Sequence, residues 1–257
     1  MGWSNGSREN PIDINIHSDI SILAKFINKQ KLLKRFEQIV IGDGANGPQY
    51  TLRWRQMNLF LDGIMSSKFK EELGLFIKEL NTILDNDEAF SINEVNTLSD
   101  SNVHMMVTDA DTFKEVYSVY ENTPIEDYWG YAWWFNNEAG NIDYGRVFMN
   151  SIKMYAPENS AVVKNRVIRY TIRHELGHIL GLKYTIDESS IMFPNHTPGL
   201  NDVFSDLDKE ALRFLHDERM PVFSNSNDAR AILEDILGIV NSSGKKKYIN
   251  KIQDLDS

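Results

Sequence analysis

Apolar residues recur at helical spacing in five stretches of the chain and at closer spacing in shorter ones. Ile20, Leu23, Ala24, Ile27, Leu32, Phe36 and Ile39, with lysines between them, predict a helix over 18–38. Phe69, Leu73, Phe76, Ile77, Leu80 and Leu84 predict an amphipathic helix over 66–84. A long helix is expected from the start signal at 157–160 to about Leu180, with Ile168, Ile172, Leu176 and Ile179 as its buried stripe. Ser205-Asp206-Leu207-Asp208 reads as a capping box that opens a helix to about 217, and a short helix follows over 227–239. Strands are expected over 50–61, 89–96 and 102–108, and a hairpin over 128–135 and 142–150. The loop signal at 42–48 sets off an N-terminal segment, 1–48, of unassigned role. The main domain is expected over 49–221 and a helical tail over 222–257.

The 257-residue length suits one large domain, and 42% apolar residues suit a packed core. A net charge of −10 disfavours nucleic acid as a partner. With no cysteine, disulfides, thiolate metal sites, cysteine nucleophiles and a cysteine latency switch are excluded. No apolar run is long enough to predict a transmembrane segment. Met1 to Ser7 lack a charged and apolar leader, so the expectation is a mature exported chain without its signal segment, or an appended leader.

The chemistry concentrates at His174-Glu175-Leu176-Gly177-His178. Histidines four apart leave one face of a helix together and can grip one metal ion. They are expected on the side away from the apolar stripe, facing an open cleft. Glu175 is placed to act as general base on a water molecule. Gly181 follows as a helix C-cap, where a left-handed backbone suits glycine.

The segment 174–194 resembles the metzincin clan of zinc metallopeptidases, and most closely its matrix-metalloproteinase branch. Those proteins carry His-Glu-x-x-His-x-x-Gly-x-x-His followed by a Met-turn, which Ser190-Ile191-Met192-Phe193-Pro194 matches. The resemblance implies an α+β, metzincin-like zincin fold. It has a twisted mixed sheet, a long active-site helix and a smaller C-terminal subdomain. It further implies a Zn2+ cofactor, Glu175 as catalytic base, His174 and His178 as ligands, and structural roles for Gly181, Asp187 and Met192. A peptide or protein substrate would lie extended along the edge strand at 128–135. Trp129, Trp133 and Trp134 line that cleft or join the core. The family setting suggests a secreted, periplasmic or surface-exposed bacterial protein.

The chain departs from the family at Tyr184, where the third histidine ligand belongs. Three readings stand. Tyr184 ligates through its phenolate; Asp187 or His196 substitutes for it; or two histidines bind metal weakly and the protein is an inactive peptide-binding module. An anionic ligand would lower the metal's effective charge and predicts weaker or more alkaline hydrolysis. A different zincin arrangement would take Glu210 from a later helix as third ligand. Among weaker features, Asp43 is a candidate latency residue, and Arg166, Arg169 and Arg173 are expected in ion pairs. His17, His104, His216 and Lys245–Lys247 need no function.

Overall fold

The computed structural model describes residues 2–3, 24–25, 28–42, 50–84, 90–194 and 201–239. Two short strands, β1 (Gly2–Trp3) and β2 (Ala24–Lys25), pair antiparallel. Helix α1 (Lys29–Phe36) runs on into one π-helical turn, Glu37–Ile41. The expected helix over 18–38 is seen only from Lys29 onward, and within its range Ala24 and Lys25 form a strand instead. Of its predicted positions, Leu32, Phe36 and Ile39 are buried.

Strands β3 (Gln56–Gly63), β4 (Ser91–Val95), β5 (Val103–Thr108), β6 (Gly130–Asn136) and β7 (Ile142–Asn150) form one sheet in the order β4-β3-β5-β7-β6. Its first four strands are parallel, and β6 lies antiparallel on the edge. β5 is buried along its whole length, as a central strand covered on both faces must be. β3 starts at Gln56, later than the expected strand. The stretch before it makes only isolated bridges, while Leu52 and Trp54 fill the core.

Helix α2 (Ser67–Ile83) is capped by the Ser66 hydroxyl, which accepts from Phe69 N at 3.1 Å, and it buries Phe69, Leu73, Phe76 and Leu80. Short helices α3 (Ala110–Val116) and α4 (Ser151–Met154) flank the sheet. Helix α5 (Ala161–Ile179) begins at a Ser160 cap, three residues past Pro157, and packs against α2 and β6. Helix α6 (Asp206–Leu215) forms the expected capping box between Ser205 and Asp208, and α7 (Ser226–Ile236) follows.

One core takes in Leu32, Leu33 and Phe36 of α1, the sheet, α2, α5, α6, and Ala229 and Leu233 of α7. It thus crosses the expected boundaries near 48 and 222. A second, aromatic core lies on the other face of the sheet around Phe113, Tyr120 and Phe148. Trp133 stacks on Tyr120 there at 3.7 Å, and Trp129 and Trp134 pack on the main core, so all three tryptophans serve packing. Among the described residues no helix is long and apolar enough to cross a membrane.

Candidate metal centre

α5 ends where its sequence demands. Gly181 has φ +96°, Leu182 N donates to Gly177 O at 2.9 Å and Gly181 N to His178 O at 3.0 Å. This six-residue closure needs a left-handed residue. A Cβ on Gly181 would also stand 2.4 Å from Leu52 O, so the packing requires glycine as well. The chain then turns back beneath the helix and carries residues 182–193 across the face bearing the histidines.

That return closes the side expected to be open. His174 is 1% exposed and His178 6%. A hydrophobic stripe identifies the helix face toward the sheet, but it cannot report that a later loop covers the other face. Met192, buried, packs from that loop against Gly177. A Cβ there would meet its sulfur at 2.7 Å, so glycine between the histidines lets this loop approach.

The two imidazoles are oriented by backbone carbonyls. His174 Nδ1 lies 2.7 Å from Ile191 O, and His178 Nδ1 lies 2.9 Å from Leu182 O. A carbonyl only accepts, so each Nδ1 carries the proton and each Nε2 keeps its lone pair. The two Nε2 atoms stand 3.3 Å apart. Two nitrogen donors about 2.0–2.1 Å from one tetrahedral ion stand about 3.3 Å apart. Burial pushes His178 down to about 4, partly opposed by the Leu182 bond, which keeps the ring neutral and able to ligate.

Tyr184 lies against this pair. Its ring centre is 4.4 Å from that of His178, edge-on, and 5.6 Å from that of His174. It is 36% exposed, at the lip of the site. Burial, and then the Glu175 charge, push its phenol well above the ordinary value, so it is protonated at neutral pH when no cation is present.

Glu175 is buried, and its carboxyl is pushed well above the usual range by loss of solvent. It abuts Gly130, the first residue of β6. A Cβ on Gly130 would fall 2.6 Å from Glu175 Cγ and 2.8 Å from its Oε1. The free edge of the sheet therefore starts at the carboxylate.

Among the described residues no cluster of three His, Cys, Asp or Glu side chains could hold a metal. Asp187 accepts instead from Arg35 at 2.8 Å and from Ser189, and Glu210 pairs with Arg213 on its own helix. Asp43, His17, His196 and Lys245–Lys247 lie outside the described residues. Arg169 pairs with Glu72 and Asp202, Arg173 with Glu79, and Arg166 with Asp202.

Several residues of the site had no place in the sequence reading. Tyr170 stacks on His174 at 5.1 Å and donates to Phe193 O at 2.8 Å. Its position one helical turn before His174 was a usable signal. Gly130, Arg35 and Lys183 gave none, because their contacts join distant parts of the chain, and Asp208 was legible only as a helix cap and not as the partner of Ser190, Ile191 and Arg35.

The sequence matches the peptidase family described as Matrixin over residues 75–216, more than half of the chain. No curated protein matches it. Among solved structures, two of myroilysin are similar. One is 11% identical over 65% of this chain and 96% of that one, with a TM-score of 0.37. The other is 12% identical over 76% and 98%, with a TM-score of 0.35. Likenesses this distant say nothing about the site.

Proposed function

Because the chain belongs to the matrixin family of peptidases, we propose that it is a zinc-dependent endopeptidase centred on His174, Glu175 and His178. The observation that carries this reading is the 3.3 Å approach of two Nε2 atoms whose Nδ1 atoms both face carbonyls. Unrelated surface histidines have no reason to share that tautomer and that separation. The third ligand is the Tyr184 phenol oxygen, supported by the packing of its ring on both imidazoles. Its phenol resists ionisation without a cation, so metal uptake releases a proton from it.

When bound, zinc supplies Lewis-acid polarisation of the scissile carbonyl and acidifies the attacking water. Glu175 takes the water's proton and delivers it to the leaving amine. Its dry surroundings favour the protonated state it passes through. Met192 forms an apolar floor, and Ile191 O and Leu182 O hold the imidazoles in one orientation. A peptide or protein substrate adds antiparallel to the outer edge of β6, which pairs only with β7 among the described residues. The edge begins at Gly130, so a paired peptide passes its backbone beside Glu175. The protein works outside the cytoplasm, as a secreted, periplasmic or surface-exposed enzyme.

A second reading is a catalytically inactive, peptide-binding member of the family. It is favoured by the lack, among the described residues, of a third imidazole or carboxylate at the histidines. Zinc titration tests the enzyme reading, and Glu175-dependent cleavage by the zinc-loaded protein separates it from the inactive one. The enzyme reading expects one zinc per chain at neutral pH, lost in His178→Ala. A chain that takes up no zinc sinks it.

A further inference from the structure

Residues 28–42 precede the stretch matched to the family, yet both carbonyls that orient the histidines lead back to them. The first line runs from His174. Its Nδ1 donates to Ile191 O at 2.7 Å, and Ile191 N donates to Asp208 Oδ2 at 3.3 Å. Ser190 Oγ donates to the other oxygen of Asp208 at 2.7 Å. Asp208 is fully buried, and its charge is met by Arg35 of α1, itself 1% exposed. The second guanidinium nitrogen donates to Asp187 Oδ2 and to Ser189 Oγ, both at 2.8 Å. One arginine from the N-terminal helix thus braces the entry to the Met-turn, directly at Asp187 and Ser189 and through Asp208 at Ser190 and Ile191.

The second line runs from His178. Its Nδ1 donates to Leu182 O at 2.9 Å, and the next residue, Lys183, is fastened to the turn after α1. Lys183 N donates to Ile39 O at 2.6 Å. Its buried Nζ donates to Val40 O at 2.6 Å, Ile41 O at 2.9 Å and Tyr50 O at 3.0 Å. The Val40 and Ile41 carbonyls, at a helix end, lack helical partners, and the Lys183 N–H groups satisfy them even though burial draws that amine down to about 7. Gly42 leaves room for the lysine stem, since a Cβ there would stand 2.6 Å from Lys183 Cδ.

We propose that residues 28–42 are part of the metal centre, with Arg35 fixing the imidazole of His174 and Lys183 that of His178. Both are positioning residues that act through a peptide carbonyl. The segment therefore stays with the working protein, and losing it would loosen both rings. The inference rests on the reading of these histidines as ligands, but the ring orientation it explains exists without metal.

The test uses the full chain with 15N-labelled histidine, free of metal, and variants Arg35→Met and Lys183→Met. Two-bond 1H–15N correlation reads which ring nitrogen carries the proton. The wild type should show Nδ1–H at both rings. Arg35→Met should mix the tautomers of His174 and spare His178, and Lys183→Met should do the reverse. Each variant should bind zinc at least about tenfold more weakly, the usual cost of losing an outer-shell partner. Unchanged tautomers and affinity in both variants would overturn the proposal, as would equal disturbance of both rings by either one. If the Arg35 variant fails to fold, Asp187→Asn serves instead, because that carboxylate is 42% exposed and holds only one arm of the arginine. It should shift His174 partially; an undisturbed His174 ring and affinity overturn that line. Selective tautomer loss in a protein that binds no zinc would keep this inference and sink the functional reading.

Discussion

Acidifying the metal-free protein from pH 6.5 to 4 should weaken it through His178 in particular. Burial holds that imidazole at about 4, against 6.5 for a free histidine. In the unfolded chain it takes up a proton near 6.5. Between those values the unfolded state binds a proton that the folded state refuses, so stability falls as the pH falls and levels off below 4. At about 1.4 kcal/mol per pH unit, the displacement amounts to about 3 kcal/mol. Glu175, held well above its ordinary value, has the opposite sign: its contribution is lost as pH rises above 4.5. Comparison with a variant cancels that term. Urea unfolding in chelator, at steps across this window, would be run on the wild type and on His178→Gln. The wild type should lose about 3 kcal/mol more than the variant between pH 6.5 and 4. Parallel curves, or an NMR titration of His178 near 6.5, would refute the reasoning.

Other perturbations probe other parts of the site. Gly130→Ala places a methyl 2.6 Å from Glu175 Cγ and 2.8 Å from Thr171 Cγ2, both on α5. It should cost about 1–3 kcal/mol in thermal unfolding and depress cleavage while leaving zinc stoichiometry alone; a neutral effect would mean the edge strand yields freely. Tyr184→Phe keeps the ring on His178 and removes only the oxygen. X-ray absorption at the zinc edge should lose one oxygen neighbour at about 2 Å, with weaker binding; identical spectra would remove Tyr184 from the ligand set. Tyr184→His replaces an anionic ligand with a neutral one and should move the rising limb of the cleavage profile toward lower pH; an unmoved profile would show that the phenol never carried charge at the metal.

Much of the fold was legible because its signals are local. The α2 stripe, the Ser205–Asp208 capping box and the Gly181 cap each follow from a few adjacent residues, and each stands where the pattern placed it. The parallel core of the sheet could be listed as strands but not ordered, since hydrogen bonding between β3 and β5 joins residues far apart in sequence. The histidine pair was legible from its four-residue spacing. Its burial was not, because the cover comes from the chain's return over 182–193. Arg35 and Lys183 look like ordinary basic residues of amphipathic or loop segments. Only the tertiary arrangement puts one beneath Asp208 and the other among three carbonyls.

The most direct test of the central claim is cleavage of a mixed peptide pool by the zinc-loaded protein and by Glu175→Gln at matched zinc occupancy. Gln fills the same space beside Gly130 and cannot carry the proton. The account predicts internal peptide-bond cleavage by the wild type and a loss of at least about a hundredfold in the variant. Equal cleavage by the two proteins, or none by a fully zinc-loaded wild type, would contradict it.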